Sequence, residues 1–226
     1  MIAIAIDGPS GAGKSTLARA AAGRYGYTYL DTGALYRSIG LFALRSGIRP
    51  EDREGVPALL PKLELRLTHE ADGQHVFLCG EDVSAAIRTP EVSLAASGVS
   101  AQGPVRSYLL ELQREIARRQ NVVMDGRDIG TVILPDAQVK IFLTASSEER
   151  ARRRYEELCQ RGTPAPYEEV LADVIRRDRE DSTRELAPLA PAADAVLLDT
   201  TGLSFEESFQ ALCALIEARL NGRAAK

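Results

Sequence analysis

Three observations predict an α/β fold in which helices cover both faces of a central parallel sheet. Short apolar runs alternate with longer amphipathic stretches. The first run, Ile2 to Ile6, has no polar face, as a strand buried on both sides requires. Several runs also end on an aspartate at the point where a helix should begin. Strands alternating with helices in this way belong to doubly wound sheets.

In chain order, Ile2 to Ile6 is followed by a helix from Lys14 to about Tyr25. A strand from Tyr27 to Leu30 ends at Asp31, and an amphipathic helix spans Gly33 to Ser46. Pro104 to Gln120 is helical, with Val105, Leu109, Leu112 and Ile116 on one stripe. Asn121 to Met124 is a strand ending at Asp125, and Val139 to Leu143 is another. Helices from about Ser147 and Tyr167 lead to a strand at Ala195 to Leu198. Ser204-Phe-Glu-Glu207 has capping-box spacing and starts the closing helix. One stretch departs from this rhythm. Leu63 to Leu67 and His75 to Leu78 alternate at the period of strands, and Asp72-Gly73 between them is a hairpin signal. A β-rich insert is therefore expected at about residues 60–95 within a single 1–226 domain.

Composition narrows the functions. A chain of 226 residues, 45% hydrophobic, can bury a core without disulfides or metal. Cys79, Cys159 and Cys213 are odd in number and show no ligand spacing, so they are expected to be reduced and mostly packed. The net charge of −4 gives no attraction to nucleic acid. No charged leader or span of roughly 18–20 apolar residues is present, so no membrane association and a cytoplasmic location are expected. Of the 28 basic residues 24 are arginine. Genomic composition accounts for such a bias, but forked guanidinium groups also suit phosphate.

The sharpest local signal is Gly8-Pro-Ser-Gly-Ala-Gly13-Lys14-Ser15, placed between a strand and a helix. It has the full spacing of a P-loop. Its glycines let successive N–H groups face a phosphate at a helix N-terminus. Lys14 would then bridge the β- and γ-phosphates, and the Ser15 hydroxyl would bind Mg²⁺. A GTPase would add an Asn/Thr-Lys-x-Asp tetrapeptide, which is absent. A motor ATPase would usually be longer. A small-molecule kinase with ATP as phosphoryl donor fits best. Asp31-Thr-Gly-Ala-Leu-Tyr-Arg37 and Asp125-Gly-Arg-Asp128 deliver acids and arginines to the carboxyl edge of the sheet. Arg150 to Arg154 and Arg177 to Arg184 are dense in charge, and each also fits a solvated helix face. His69 and His75 read as incidental, and Tyr25, Tyr27 and Tyr29 as packing.

These segments, with Gly80-Glu-Asp-Val-Ser84, Ile87-Arg88, Ser146-Ser-Glu-Glu-Arg150-Ala and Ala187-Pro-Leu-x-Pro191-Ala-Ala-Asp194-Ala, resemble bacterial cytidylate (CMP) kinases. The resemblance covers nearly the whole chain in order. It implies transfer of the ATP γ-phosphoryl to CMP or dCMP, with Mg²⁺. It also implies that the insert is a nucleotide-binding element and that residues 148–166 form a lid. The donor is expected along Gly8, Pro9, Ser10, Gly11, Ala12, Gly13, Lys14, Ser15 and Thr16. On the acceptor side, the resemblance places Thr32, Tyr36, Arg37 and Asp125 near the nucleotide. It gives Ser97, Arg106 and Asp128 the base, Arg127 a phosphate, Arg177 and Asp181 the ribose, and Arg184 a further acceptor contact. Lys14, Arg37, Arg127, Arg154 and Arg184 would surround the transferred charge. Glu180-Asp-Ser-Thr183 departs from relatives that are richer in Arg and Asn here, which loosens the ribose assignment. A monomer is expected, because no unexplained apolar face is evident. A kinase of another small metabolite and a nucleotide-dependent RNA-binding protein are the competing readings.

Overall fold

The computed structural model describes residues 1–70, 73–160 and 162–224. The expected turn residue Asp72 and Arg161 of the expected 148–166 lid lie outside the described residues. Five parallel strands form the central sheet: β1 (Ala3–Asp7), β2 (Thr28–Asp31), β6 (Val122–Gly126), β7 (Val139–Thr144) and β8 (Val196–Asp199). Their order is β2-β6-β1-β7-β8. The strand order reverses at β1, so the loops leaving β1 and β6 open a crevice at the carboxyl edge.

Helices α1 (Lys14–Tyr25) and α8 (Phe205–Ala224) cover one face of the sheet. Leu17, Leu212 and Ile216 pack there on Ile4, Ile6, Val123, Ile141 and Leu143. The opposite face carries Leu30, Met124, Ile129 and Ile133. A second core joins α2 (Thr32–Arg45), α4 (Pro90–Ser100) and α5 (Gly103–Arg119) to the insert. The insert is an antiparallel sheet of β3 (Leu65–Glu70), β4 (Gly73–Leu78) and β5 (Glu81–Asp82). Val76 and Leu78 pack with Leu35 and Ile39, so the inner face of the insert belongs to the body of the molecule. The expected closing cap forms, with Ser204 and Glu207 exchanging side-chain-to-backbone bonds.

Two helices escaped the sequence reading. The short α3 (Gly55–Leu59) contains Pro57 and only one buried residue, Val56, too little for a periodic signal. Helix α4 is built mostly of small residues, with serines interspersed among the apolar positions, so its face is hard to read. A Thr89 side chain capping Val92 N–H and Pro90 in its first turn nevertheless mark its start. Gly40 lets α2 approach α4: a β-carbon there would lie 3.0 Å from Ala96 N. Helices α6 (Ser147–Gln160) and α7 (Tyr167–Thr183) form a hairpin with a small core of Ala151, Val170 and Val174. The cysteine expectation needs correcting, since only Cys213 is buried while Cys79 and Cys159 are exposed. Cys79 stands in the turn after β4 with φ +48°, and Cys159 lies near the end of α6.

Candidate active site

The loop between β1 and α1 is shaped by backbone. A β-carbon on Gly8 would sit 1.9 Å from the Leu143 carbonyl oxygen, so no side chain fits there. Gly13, with φ +85°, turns the chain into α1 without any side-chain cap on the helix. The first-turn N–H groups are thereby left for an anion. Ser10, Gly11, Gly13, Lys14, Ser15 and Thr16 line one cleft of about 780 Å³. Gly8, Pro9 and Ala12, also expected to bind the donor, are buried behind that surface and shape the loop. Lys14 Nζ donates to the Pro9 carbonyl at 2.7 Å. Burial, with Arg127 nearby, pulls its pKa down to about 7, so a phosphate alongside would restore its charge.

Asp125, next to the last residue of β6, accepts from Ser15 Oγ and Tyr29 Oη, both at 2.8 Å. Burial, with Asp31 close by, holds its carboxyl above the usual range. A hydroxyl and a carboxylate side by side are a hard-oxygen set suited to Mg²⁺. Among the described residues no group of three or more His, Cys, Asp or Glu could cage a metal. Such an ion would take its remaining ligands from phosphate and water.

The far wall is built of arginines, each matched by a carboxylate. Asp31 caps α2 through Ala34 N–H and also holds Arg37 at 2.8 Å and Arg88 at 2.9 Å. Burial pushes its carboxyl up, but the two guanidiniums overcome that and hold it below the usual range. Arg37 Nε is buried with no partner among the described residues, an orphaned donor that an anion would satisfy. Arg106 and Arg184 converge on Asp128, and Arg106 lies over the Tyr36 ring. Arg127 Nε reaches Asp181 Oδ2 at 2.6 Å. Thr32 is buried and donates to the Asp125 carbonyl at 2.7 Å. Ser97 lines the same cleft from α4.

The two charged runs divide by face. Arg150 is buried. It clasps Asp178 of α7 with both terminal nitrogens, at 2.9 and 2.5 Å, and also donates to the Ser10 carbonyl at 3.0 Å. Arg153 and Arg154 line the cleft, and Arg154 is 2.8 Å from Glu157. Arg152 is exposed and paired with Glu149. On α7, Arg176 and Arg177 pair with Asp173 one turn away, as a surface network would, while Asp178 and Asp181 reach inward. Arg177 and Asp181 both line the cleft, but each is engaged by a different partner. Sequence reasoning missed the roles of Asp31, Arg88, Tyr29 and Arg150. Asp31 and Arg88 stood inside the matched motifs, but nothing in their spacing says that Asp31 serves both arginines. Tyr29 packs against the core as expected, and it also supplies a hydroxyl to Asp125.

A parallel-sheet nucleotide kinase with a P-loop at one end and an arginine wall at the other is the class these features define. The family model described as cytidylate kinase matches residues 4–218. A cytidylate kinase from Carboxydothermus hydrogenoformans is 52% identical, covering 94% of this chain and 96% of the relative. One from Caldanaerobacter subterraneus is also 52% identical, covering 98% of this chain and 97% of the relative. The chain belongs to the cytidylate kinase family. Cytidylate kinases move a phosphoryl group from ATP, with Mg²⁺, to a cytidine monophosphate. A solved gluconokinase from Sinorhizobium meliloti shares the fold, with a TM-score of 0.50 at 17% identity, covering 100% of this chain and 97% of that one.

Proposed function

We propose that this chain is a (d)CMP kinase in which the donor lies on the β1–α1 loop and the acceptor against the arginine wall. The observation that carries the reading is one continuous cleft lined by Ser10, Gly11 and Gly13 to Thr16 at one end and by Arg37, Arg88, Arg106, Asp128 and Arg184 at the other. Loop N–H groups and Lys14 hold the donor phosphates. Ser15 and Asp125 would hold Mg²⁺, which neutralises phosphate charge when bound. Arg37 and Arg127 take acceptor and transferred oxygens, exchanging Asp31 and Asp181 for phosphate. Arg154 and Arg184 add charge around the transferred group, which passes through a loose transition state where positioning and neutralisation dominate.

Cytosine presents an amino donor at N4 and acceptors at N3 and O2. Asp128 accepts from N4, while Arg106 and Ser97 donate to the acceptors. Uracil reverses part of that pattern and leaves buried groups unpaired. Arg177 and Asp181 serve the ribose once the latter leaves Arg127. Residues 148–166 close as a lid that keeps water from competing as acceptor, and the 60–95 insert frames the acceptor side. The acidic net charge supports a protein with no nucleic-acid partner. Among the described residues no helix is long and apolar enough to cross a membrane. The reading takes the protein as a monomer in a cytoplasmic location. A coupled assay across CMP, dCMP, UMP, AMP, GMP and shikimate tests this. CMP and dCMP should be used far faster than the rest, and equal rates with UMP would overturn the base assignment.

A further inference from the structure

Asp7 is a buried carboxylate outside the contacts described so far. It ends β1 directly before Gly8 and is 4% exposed. Its Oδ1 accepts from Ile129 N–H and its Oδ2 from Gly130 N–H, both at 2.7 Å. These amides open the π-helical turn Ile129–Ile133, which follows Asp128. Free N–H groups at the start of a helical turn are ordinarily taken by the side chain of the residue that begins it. That residue here is Asp128, and its side chain makes no such bond. Its carboxylate faces the other way, toward Arg106 and Arg184. Asp7 therefore caps the turn from another strand. Gly130 makes room for it, since a β-carbon there would lie 3.3 Å from Asp7 Oδ2 and 3.2 Å from Lys140 Cδ.

We propose that Asp7 is a positioning residue for acceptor recognition, which caps the turn after Asp128 and so leaves the Asp128 carboxylate free to read the acceptor base. The proposal rests on the reading of Asp128 as a base contact. It also joins the two ends of the cleft, because Asp7 is bonded in sequence to the donor loop and by hydrogen bonds to the segment carrying Arg127 and Asp128.

Asp7→Asn keeps the shape of the side chain but sets an amide NH₂ against a backbone N–H. One turn amide then lacks an acceptor, and the Asp128 carboxylate is next to it. The KM for CMP should rise about tenfold while the KM for ATP moves less than about twofold, and the preference for CMP over UMP should fall with it. Asp128→Asn is measured alongside. Asp7→Asn added to Asp128→Asn should raise the CMP KM no further, since both act through one carboxylate. If Asp128→Asn leaves the CMP KM unchanged, the base assignment fails. If Asp128→Asn raises it but Asp7→Asn does not, or raises both KM values equally, the positioning role of Asp7 is overturned. Should Asp7→Asn not fold, Gly130→Ala crowds the same oxygen and carries the same test. It should give the same split at smaller size, and an unsplit or absent effect counts equally against the proposal.

Discussion

The donor end of the cleft is made of backbone and the acceptor end of side chains. At the donor end, eight consecutive residues curl around positive φ angles, and Lys14, the one cation among those eight, donates to a carbonyl of its own loop. At the acceptor end, Arg37, Arg88, Arg106, Arg127 and Arg184 come from separate segments, and each rests on Asp31, Asp128 or Asp181. Backbone donors carry no net charge and need no counter-ion. A wall of guanidiniums would repel itself, so carboxylates hold it together; in the function proposed above, phosphate would replace some of them. The donor end should therefore fail through chemistry when altered, and the acceptor end through geometry.

Lys14→Ala gives the largest expected break. Removing the one loop cation should cut kcat by about 100-fold or more, because charge neutralisation supplies most of the rate. The variant should fold and keep its CMP KM within about threefold. Near-normal turnover in a steady-state assay would show that the loop amides suffice without it.

The junction of the two ends gives the next effect, read as stability. Burial raises the Asp7 pKa from 3.8 to about 6, against the two backbone donors that lower it. A raised folded-state value means that stability is fully present below about pH 4, is lost as pH rises through about 6, and is level above that. A shift of this size corresponds to about 3 kcal/mol at most. Chemical denaturation at pH 4 and pH 7 should show wild type losing up to that amount relative to Asp7→Asn. A difference that does not change with pH would mean that Asp7 is not burdened by burial.

How much of each end was legible follows from the same contrast. The donor end is one run of sequence, and glycine spacing before a lysine names its shape and the kind of ligand that shape suits. The parallel strands were equally plain, because Ile4, Ile6 and Val123 are buried on one face of the sheet and Ala5, Val122 and Met124 on the other, which leaves no polar alternation. Thr32, Arg37, Asp125 and Asp128 could be placed at strand ends. Which arginine rests on which acid could not, since Arg127 and Asp181 lie 54 residues apart and meet only through the packing of α7. Arg150 reads as one more charge in a run, yet Gly11 lets it come close enough for its β-carbon to lie 3.3 Å from where the glycine's would be.

Asp31→Asn breaks the acceptor wall while keeping the α2 cap, because asparagine still accepts from Ala34 N–H. Arg37 and Arg88 lose their shared counter-ion. The CMP KM should rise about fivefold to tenfold, with ATP KM unchanged, as both guanidiniums drift from the phosphate position. Equal changes in the two KM values would show that the two ends are not independent.

The smallest effect comes from a residue that touches neither substrate. Thr89 Oγ accepts from Val92 N–H at 3.2 Å and fixes the start of α4. That helix brings Ser97 to the cleft and packs on α2 at Gly40, where there is no slack for it to shift sideways. Thr89→Ala should cost about 1 kcal/mol of stability, the usual worth of an N-cap. Because α4 is held along its length by Val92, Ala95 and Val99, the loss should loosen the first turn rather than move the helix. Ser97 lies two turns further on, so the CMP KM should change less than about threefold and the ATP KM not at all. A larger acceptor effect would mean that the wall depends on the end of α4 as well as on its ion pairs, and that side-chain sites tolerate less slack than the backbone cradle opposite.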